Sequence, residues 1–362
     1  MDFPGVEWDI ASPDELGFDW DKLRSAVTRA EATEIDWPTD ISMIVAQEDQ
    51  PPYNRRFGPT KPRGPTGGIV VRSGRVAAVW GDPERVDVTF SATKSYLSTC
   101  AGLAYDQGLI PHLDTPIYAS LPIEAFSSVH NQKITWRHLL QQTSEWSGSL
   151  FGIPDTVDHN RSVMQDDTGG IQKKGVARLL REPGAFWEYN DVRVNALAYA
   201  LLHLFREPLV DVLRRDIMGP IDATNGWDWY PYENAYVDID GRSLPSVPGG
   251  AHWGGGIWIS TYDHARFGLL WLNNGVWNGK RLLSDDWVNE SLRACSVNRR
   301  YGFMWWLNTA HTAWKNASEG AFAAQGAGGN VVCVVPDFDI VVVTRWSKNP
   351  SAIVDSVLEA VR

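Results

Sequence analysis

Cysteine is scarce in this chain: Cys100, Cys295 and Cys333 are the only three, far apart and with no Cys-x-x-Cys pair. That excludes a disulfide framework and a zinc knuckle. No apolar run is long enough to span a bilayer, and the opening "MDFPGVEWDI" is acidic, with no basic segment leading into an apolar one. Neither a signal peptide nor a membrane helix is predicted, so cytoplasm is the expected location. Positive charge is in deficit, 33 Lys and Arg against 44 Asp and Glu for a net −11. This argues against nucleic acid and against an anionic membrane as partners. Internal repeats and low-complexity tracts are missing. So are the marks of several chemistries: no Gly-x-Ser-x-Gly elbow, no His-Glu-x-x-His, no histidine pair at metal-ligand spacing, no complete Gly-x-Gly-x-x-Gly. The glycines at 254–256 and 326–329 precede strand-like runs rather than helices, which disfavours a dinucleotide site. No cofactor and no metal are predicted.

What is present is an ordinary globular balance, 43% hydrophobic and 21% charged over 362 residues, long enough for one large or two intimate domains. Tryptophan is in excess. Eighteen are spread through the chain and cluster in "NGWDWYPYENAY", "HWGGGIW" and "MWW". Such rings either fill a large core or line a pocket for an apolar or sugar-like ligand.

Periodicity divides the chain. "DWDKLRSAVTRAEAT" (Asp19 to Thr33) has a helical apolar face, "SMIVAQED" reads as a strand, and "GGIVVRSGRVAAVWG" reads as a hairpin turning at Ser73-Gly74. From Ser91 the pattern is helical. "ITWRHLLQQTS", "GVARLLRE" and "VNALAYALLHLF" add further helices. Strand character returns in "GGGIWIS" and in "NVVCVVPDFDIVVVTRW", a second hairpin turning at Pro336-Asp337, and "SAIVDSVLEAVR" closes as a helix. Two hairpins without a repeating strand–helix–strand order predict an α+β fold: an antiparallel sheet flanked by terminal helices. The sheet domain is expected from residues 1–94 and 246–362. A mostly helical domain, residues 95–245, is inserted, with the active site between the two.

"VTFSATKSYLSTCAGLAYDQGLI" places Ser91 three residues before Lys94, and no other serine in the chain has a lysine at that spacing. One reading is a helix cap beside a solvated lysine. The flanks Val88, Phe90, Tyr96, Leu97 and Ala101 favour the other, a partly desolvated pair. Desolvation lowers an ammonium pKa and predicts a lysine able to take the serine proton. The free N–H groups of a helix start suit an oxyanion.

Ser-x-x-Lys at a helix start is the mark of β-lactamases and penicillin-binding proteins. Five ordered segments make the chain resemble the class C branch of this superfamily, β-lactamase/transpeptidase-like in fold. They are "FSATKSYLSTCAGLAYDQGLI", "ITWRHLLQQTS", "PGAFWEYNDVRVNALAYAL", "GGGIWISTYDHARFGLLWLNNGVWNG" and "QGAGGNVVCVVPDFDIVVV". The branch includes family VIII carboxylesterases, D-amino-acid peptidases and 6-aminohexanoate-dimer hydrolases. The resemblance implies that Ser91 is the nucleophile, Lys94 its partner and Tyr189 an acid/base group. It puts the backbone N–H groups of Ser91 and Ala327 in the oxyanion hole. Asp191 stands where the Tyr-x-Asn motif has asparagine. Ala324-Gln325-Gly326 stands where β-lactamases have Lys-Thr-Gly, so the cation for a β-lactam carboxylate is missing. Asp191, Gln325, Gly326 and four tryptophans, Trp227, Trp229, Trp253 and Trp306, are the candidates for substrate contact. A small ester or short amide is the implied substrate. A β-lactamase or D,D-peptidase activity, an acyltransferase and a non-hydrolytic binding protein are the alternatives.

Overall fold

A computed structural model describes residues 3–163 and 173–362. Its centre is a six-stranded antiparallel sheet in the spatial order 306–307, 322–326, 330–335, 340–345, 67–72, 75–80. Both predicted hairpins are present. In the first, Arg72 pairs with Arg75, and Ser73 and Gly74 both have positive φ, 52° and 81°, the conformation a two-residue hairpin loop demands. The second turns over Pro336–Asp339, two residues wider than predicted, and Asp339 takes the left-handed conformation.

Alternation along the strands sorts the side chains into two layers. Ile69, Val71, Val332, Val334, Val341 and Val343 point to the larger apolar core, whereas Val70, Val331, Cys333, Val335, Ile340 and Val342 point to a second one. Helices cover both faces, which is why these strands read as continuous valine-rich runs rather than as half-polar ones. Trp20–Glu31 and Pro350–Glu359 lie together on the second face, through Leu23, Ala26, Ala30, Ile353, Val354 and Val357. The prediction that terminal helices flank the sheet is met, both on one side. The other face is covered by Thr261–Leu272, which approaches closely at Gly268: a Cβ there would stand 2.6 Å from Val341 Cγ1.

Behind that layer run Thr93–Asp106 and Asp191–Phe205. The first is buried continuously from Thr93 to Ala104, so a polar residue near its start finds no bulk water. A small sheet ties the helical middle of the chain to its flanks: Gly256–Ile259 pairs with Asp87–Val88 on one side and with Asp228–Tyr230 on the other. The helices of the middle segment and the sheet share one apolar core.

Two predicted elements do not form. "SMIVAQED" is a short 3-10 turn, Ile41–Met43, capped by Asp40 and followed by further turns. "GVARLLRE" is not helical. Arg178 is drawn inward to Glu145 and Glu188 and Arg181 N donates to Glu145 Oε2, which leaves Leu179 92% exposed. Ion pairing overrides its apolar spacing. Of "ITWRHLLQQTS", only Trp136–Leu140 is α-helical; Gln142, at φ 56°, ends it. No helix among the described residues is long and apolar enough to cross a membrane.

Candidate active site

Strand Asp87–Val88 runs into the start of the buried helix through Phe90, whose φ is 49°. A bulky residue in the left-handed region costs roughly 1–3 kcal/mol. Edge contacts of its ring with Trp37 and Trp346 hold it there. Thr89 N bonds Ile257 O at 2.9 Å, and Thr93 Oγ1 accepts from Ile257 N at 3.2 Å. The sharp turn between these anchors leaves Ser91 half-buried on a cleft wall while Lys94 is 1% exposed.

Lys94 Nζ donates to Ser91 Oγ at 2.8 Å. The burial predicted for this lysine is observed, but its effect on the charge is reversed. Lys94 forms an ion pair with Asp191 Oδ1, both side chains 2% exposed. Burial pulls the ammonium pKa down; the Asp191 charge, with Tyr189 and the Asp191 hydrogen bond, raises it, and the balance lies above the ordinary value. Lys94 is thus an ammonium at rest, not the neutral base that desolvation alone predicts. Asp191 is bracketed by a second cation, Arg161 Nη1 at 2.8 Å from Oδ2. Burial pushes the Asp191 carboxyl up, but Lys94 and Arg161 hold it far below the usual carboxylate range. Asp158 completes the chain by accepting from Asp191 N at 2.7 Å and pairing with Arg161 at 3.3 Å. Asn190 supports Asp191 locally: as N-cap it accepts from Val192 N and Arg193 N, which sets Asp191 in the first turn, where a carboxylate also meets the helix dipole favourably.

Tyr189 joins the pair face-on. Lys94 Nζ is 4.6 Å and Arg161 Cζ 5.4 Å from its ring centroid. Trp306 stacks behind the ring at 6.0 Å. The other three tryptophan candidates stand elsewhere: Trp227, Trp229 and Trp253 are 3%, 1% and 0% exposed, and neither they nor Trp306 lines the cleft that holds Ser91. The excess of indoles fills the core, with nine of the largest fully buried side chains being tryptophan. The aromatic rings of the cleft are Trp37 and Phe90.

The cleft has a volume of about 250 Å³. Trp37, Ile44, Val45, Ala46 and Phe90 make it apolar on one part of its wall, while Arg161, Asp191 and His252 make it charged on another. Ala327 lines it with Ser91. Gly326, just before, touches the nucleophile turn: a Cβ there would stand 2.1 Å from Thr89 O and 3.1 Å from Ser91 N. Gln325 is half-buried at the end of the same strand. Gly250 closes the back of the site; a Cβ on it would lie 2.9 Å from Lys94 Nζ, 3.3 Å from Ser91 Oγ and 3.4 Å from Asp191 Oδ1. Glycine is needed at 250 and 326 for proximity rather than for positive φ.

Ser91, Lys94, Tyr189 and Asp191 are therefore brought together, with Ala327 and Gly326 beside them. Sequence reasoning missed Trp37, Ile44 to Ala46, Arg161 and Gly250, and also a socket next to the cleft. There Asp49, Asp158 and His252 bring donor atoms within 4.8 Å of one another. The socket already surrounds a cation of the chain itself, Lys174, which bonds Asp49 and lies 3.2 Å from His252 Nε2 and 3.3 Å from Asp158 Oδ1. No metal is assigned to it. These residues are dispersed over some two hundred positions without a fixed spacing, and no motif could have found them.

Solved structures with this fold include a penicillin-binding-protein homologue from Caulobacter crescentus, at TM-score 0.61 and 13% identity over 99% of this chain and 98% of that one. A Bacillus anthracis protein described as a 6-aminohexanoate-dimer hydrolase matches with TM-score 0.59 and 16% identity, covering 98% of this chain and 85% of that one. EstCE1, described as a hydrolase with promiscuous acyltransferase activity, matches with TM-score 0.57 and 18% identity over 94% and 98%. Comparison with curated proteins gives no match. The family model Beta-lactamase matches residues 69–360, from the first strand of the large sheet to the end of the last helix, with the Ser91–Lys94 turn and Tyr189 inside the match. By that match, and with its fold in agreement, the chain belongs to the Beta-lactamase family, a family of serine hydrolases.

Proposed function

We propose that this chain cleaves a small carboxylic ester or short amide through an acyl-enzyme on Ser91. The observation that carries the reading is the 2.8 Å bond between Lys94 Nζ and Ser91 Oγ, made by a buried ammonium that Asp191 fixes in place. A serine hydroxyl attacks a carbonyl only when its proton is taken and its developing charge is met. The Lys94 ammonium meets that charge at Oγ. Tyr189 is the proton carrier in this reading: its ring lies against both Lys94 and Arg161, next to the Lys94–Ser91 bond, although Tyr189 itself is buried and does not line the cleft. The N–H groups of Ser91 and Ala327 receive the carbonyl oxygen. One such donor is worth about a hundred- to a thousandfold in rate.

The substrate class follows from the cleft. Its volume of about 250 Å³ and its apolar wall at Trp37, Ile44, Val45 and Phe90 suit a short acyl chain. No lysine precedes Gln325-Gly326 to grip a β-lactam carboxylate, so an ester or amide is favoured over a penicillin. The B. anthracis and EstCE1 structures, described as a 6-aminohexanoate-dimer hydrolase and as a hydrolase with promiscuous acyltransferase activity, support acyl chemistry on this scaffold. A fluorophosphonate probe should label the native protein and spare Ser91→Ala, and p-nitrophenyl butyrate should turn over faster than nitrocefin. Labelling that survives Ser91→Ala would end the reading.

A further inference from the structure

We propose that His252, oriented by Asp49, is the general base for the water that releases the acyl group from Ser91, an inference that rests on the acyl-enzyme reading above. His252 lines the same cleft as Ser91. It follows by two residues Gly250, the backbone that lies against Ser91 Oγ, Lys94 and Asp191. Its Nε2 is 2.9 Å from Asp49 Oδ2, and the Asp49 side chain is fully buried.

The shorter Asp49 contact favours one tautomer. Burial pushes the Asp49 carboxyl up, but His252 and Lys174 more than offset this and hold it below its ordinary value, so it is ionised. A carboxylate offers only lone pairs, so as a hydrogen bond the 2.9 Å contact has the proton on Nε2, and the proposal takes this form of the ring. Lys174, 3.2 Å from Nε2, cannot donate to a nitrogen that already carries hydrogen. Its ammonium is satisfied by Asp49 Oδ1 and by Asp158 Oδ1 at 3.3 Å. In the neutral ring this leaves the lone pair on Nδ1, for which no hydrogen-bond partner is found among the described residues. A cleft-lining histidine backed by a buried carboxylate through one ring nitrogen is the arrangement a general base needs. Lys94 cannot supply it, because Asp191 keeps that amine protonated.

The step balances without any further reactant. Water oxygen bonds to the acyl carbon as one water proton passes to Nδ1 of His252, giving a tetrahedral intermediate whose oxyanion faces the Ser91 and Ala327 N–H groups. The bond from that carbon to Ser91 Oγ then breaks. The proton returns to Oγ, and the carboxylic acid leaves. The charged and titratable groups around His252 are Asp49, Lys174 and Asp158 in the socket, with Asp191, Arg161 and Glu48 along the cleft. All of them shape the pH dependence of this step.

The test is pre-steady-state hydrolysis of p-nitrophenyl butyrate by the full chain. His252→Gln should keep a burst of about one nitrophenolate per protein, while its steady-state rate falls by roughly a hundredfold or more, the usual contribution of a general base. Intact mass should then show a butyryl adduct that maps to Ser91. Asp49→Asn, which keeps the shape and removes the carboxylate, should slow the same phase by a smaller factor, as expected of a positioning residue. Hydroxylamine needs no base to attack an acyl-enzyme and should restore turnover in both variants, a rescue that a purely structural defect would not show. Burst and steady-state rates that fall together, an unchanged steady state, or failure of hydroxylamine to rescue would each overturn the proposal. A burst that persists in Ser91→Ala would instead overturn the acyl-enzyme reading on which it rests.

Discussion

Asp191→Asn is the sharpest test of the charge arrangement, because it restores the asparagine of the Tyr-x-Asn motif while removing the anion shared by two buried cations. Lys94 and Arg161 both contact Asp191, and the three side chains are 2%, 16% and 2% exposed in the order Lys94, Arg161, Asp191. Stripping one partner from such a buried set costs about 3–5 kcal/mol. The unfolding entropy of a chain this long converts that into a fall in Tm of roughly 4–7 °C. The sign with pH follows from both shifts. The Asp191 carboxyl is depressed, so its contribution is complete above the unfolded value of about 3.9 and is lost as pH falls through the lower folded value. Lys94 is raised, so its contribution is complete below about 10.4 and is lost as pH rises through the higher folded value. The native protein and the variant should therefore converge in Tm in strong acid, differ most from about pH 5 upward, and draw together again as pH rises through the point where the variant's Lys94 loses its proton, because a buried neutral lysine no longer opposes folding. With the carboxylate gone, burial dominates and Lys94 should shed its proton at a lower pH. Acylation, followed by the burst rate, should then gain a falling limb absent from the native profile. Calorimetry and stopped-flow kinetics between pH 5 and 9 read both effects. An unchanged Tm at pH 7 would refute the buried triad. An acylation rate that rises in the variant would show neutral lysine to be the base and remove Tyr189 from that role.

Gly250→Ala should separate activity from stability. Its methyl group would press on Lys94 Nζ at 2.9 Å, and an ångström of misplacement at reacting groups costs on the order of a hundredfold in rate. The lower unfolded-state entropy of alanine offsets part of the crowding, so a large loss of kcat with Tm within a few degrees is expected; a near-native rate would show that the back of the site is loose. Trp37→Ala should weaken selection for acyl length: each buried methylene is worth about 0.8 kcal/mol, roughly fourfold in kcat/KM. An acetate-to-hexanoate series should flatten in the variant, and an unchanged slope would move the acyl pocket away from Trp37.

The sequence by itself determined the elements whose pattern is local. Valine-rich runs around Ser73-Gly74 and Pro336-Asp337 specify hairpins because pleat period and turn chemistry are properties of neighbouring residues. The Ser91–Lys94 turn and the helical stretch from Val194 to Phe205 were legible for the same reason, but the Asn190 cap that starts that helix at Asp191 was not. Charge was not legible. The apolar flanks of Lys94 predict a desolvated amine, and burial does pull its pKa down, but Asp191, ninety-seven positions away along the chain, decides the outcome. A Coulomb interaction depends on distance in space and on the surrounding dielectric, and neither is written in sequence spacing. The tryptophan clusters misled in the same way: composition records that large rings must be buried, but only the packing of sheet against helices decides that Trp229 and Trp253 fill the core while Trp37, in an unremarked loop, reaches the cleft. The meeting of Asp49, Asp158, Lys174 and His252 beside Ser91 is likewise a product of tertiary structure, because separate segments of the chain each supply one polar side chain to a space that none of them encloses alone.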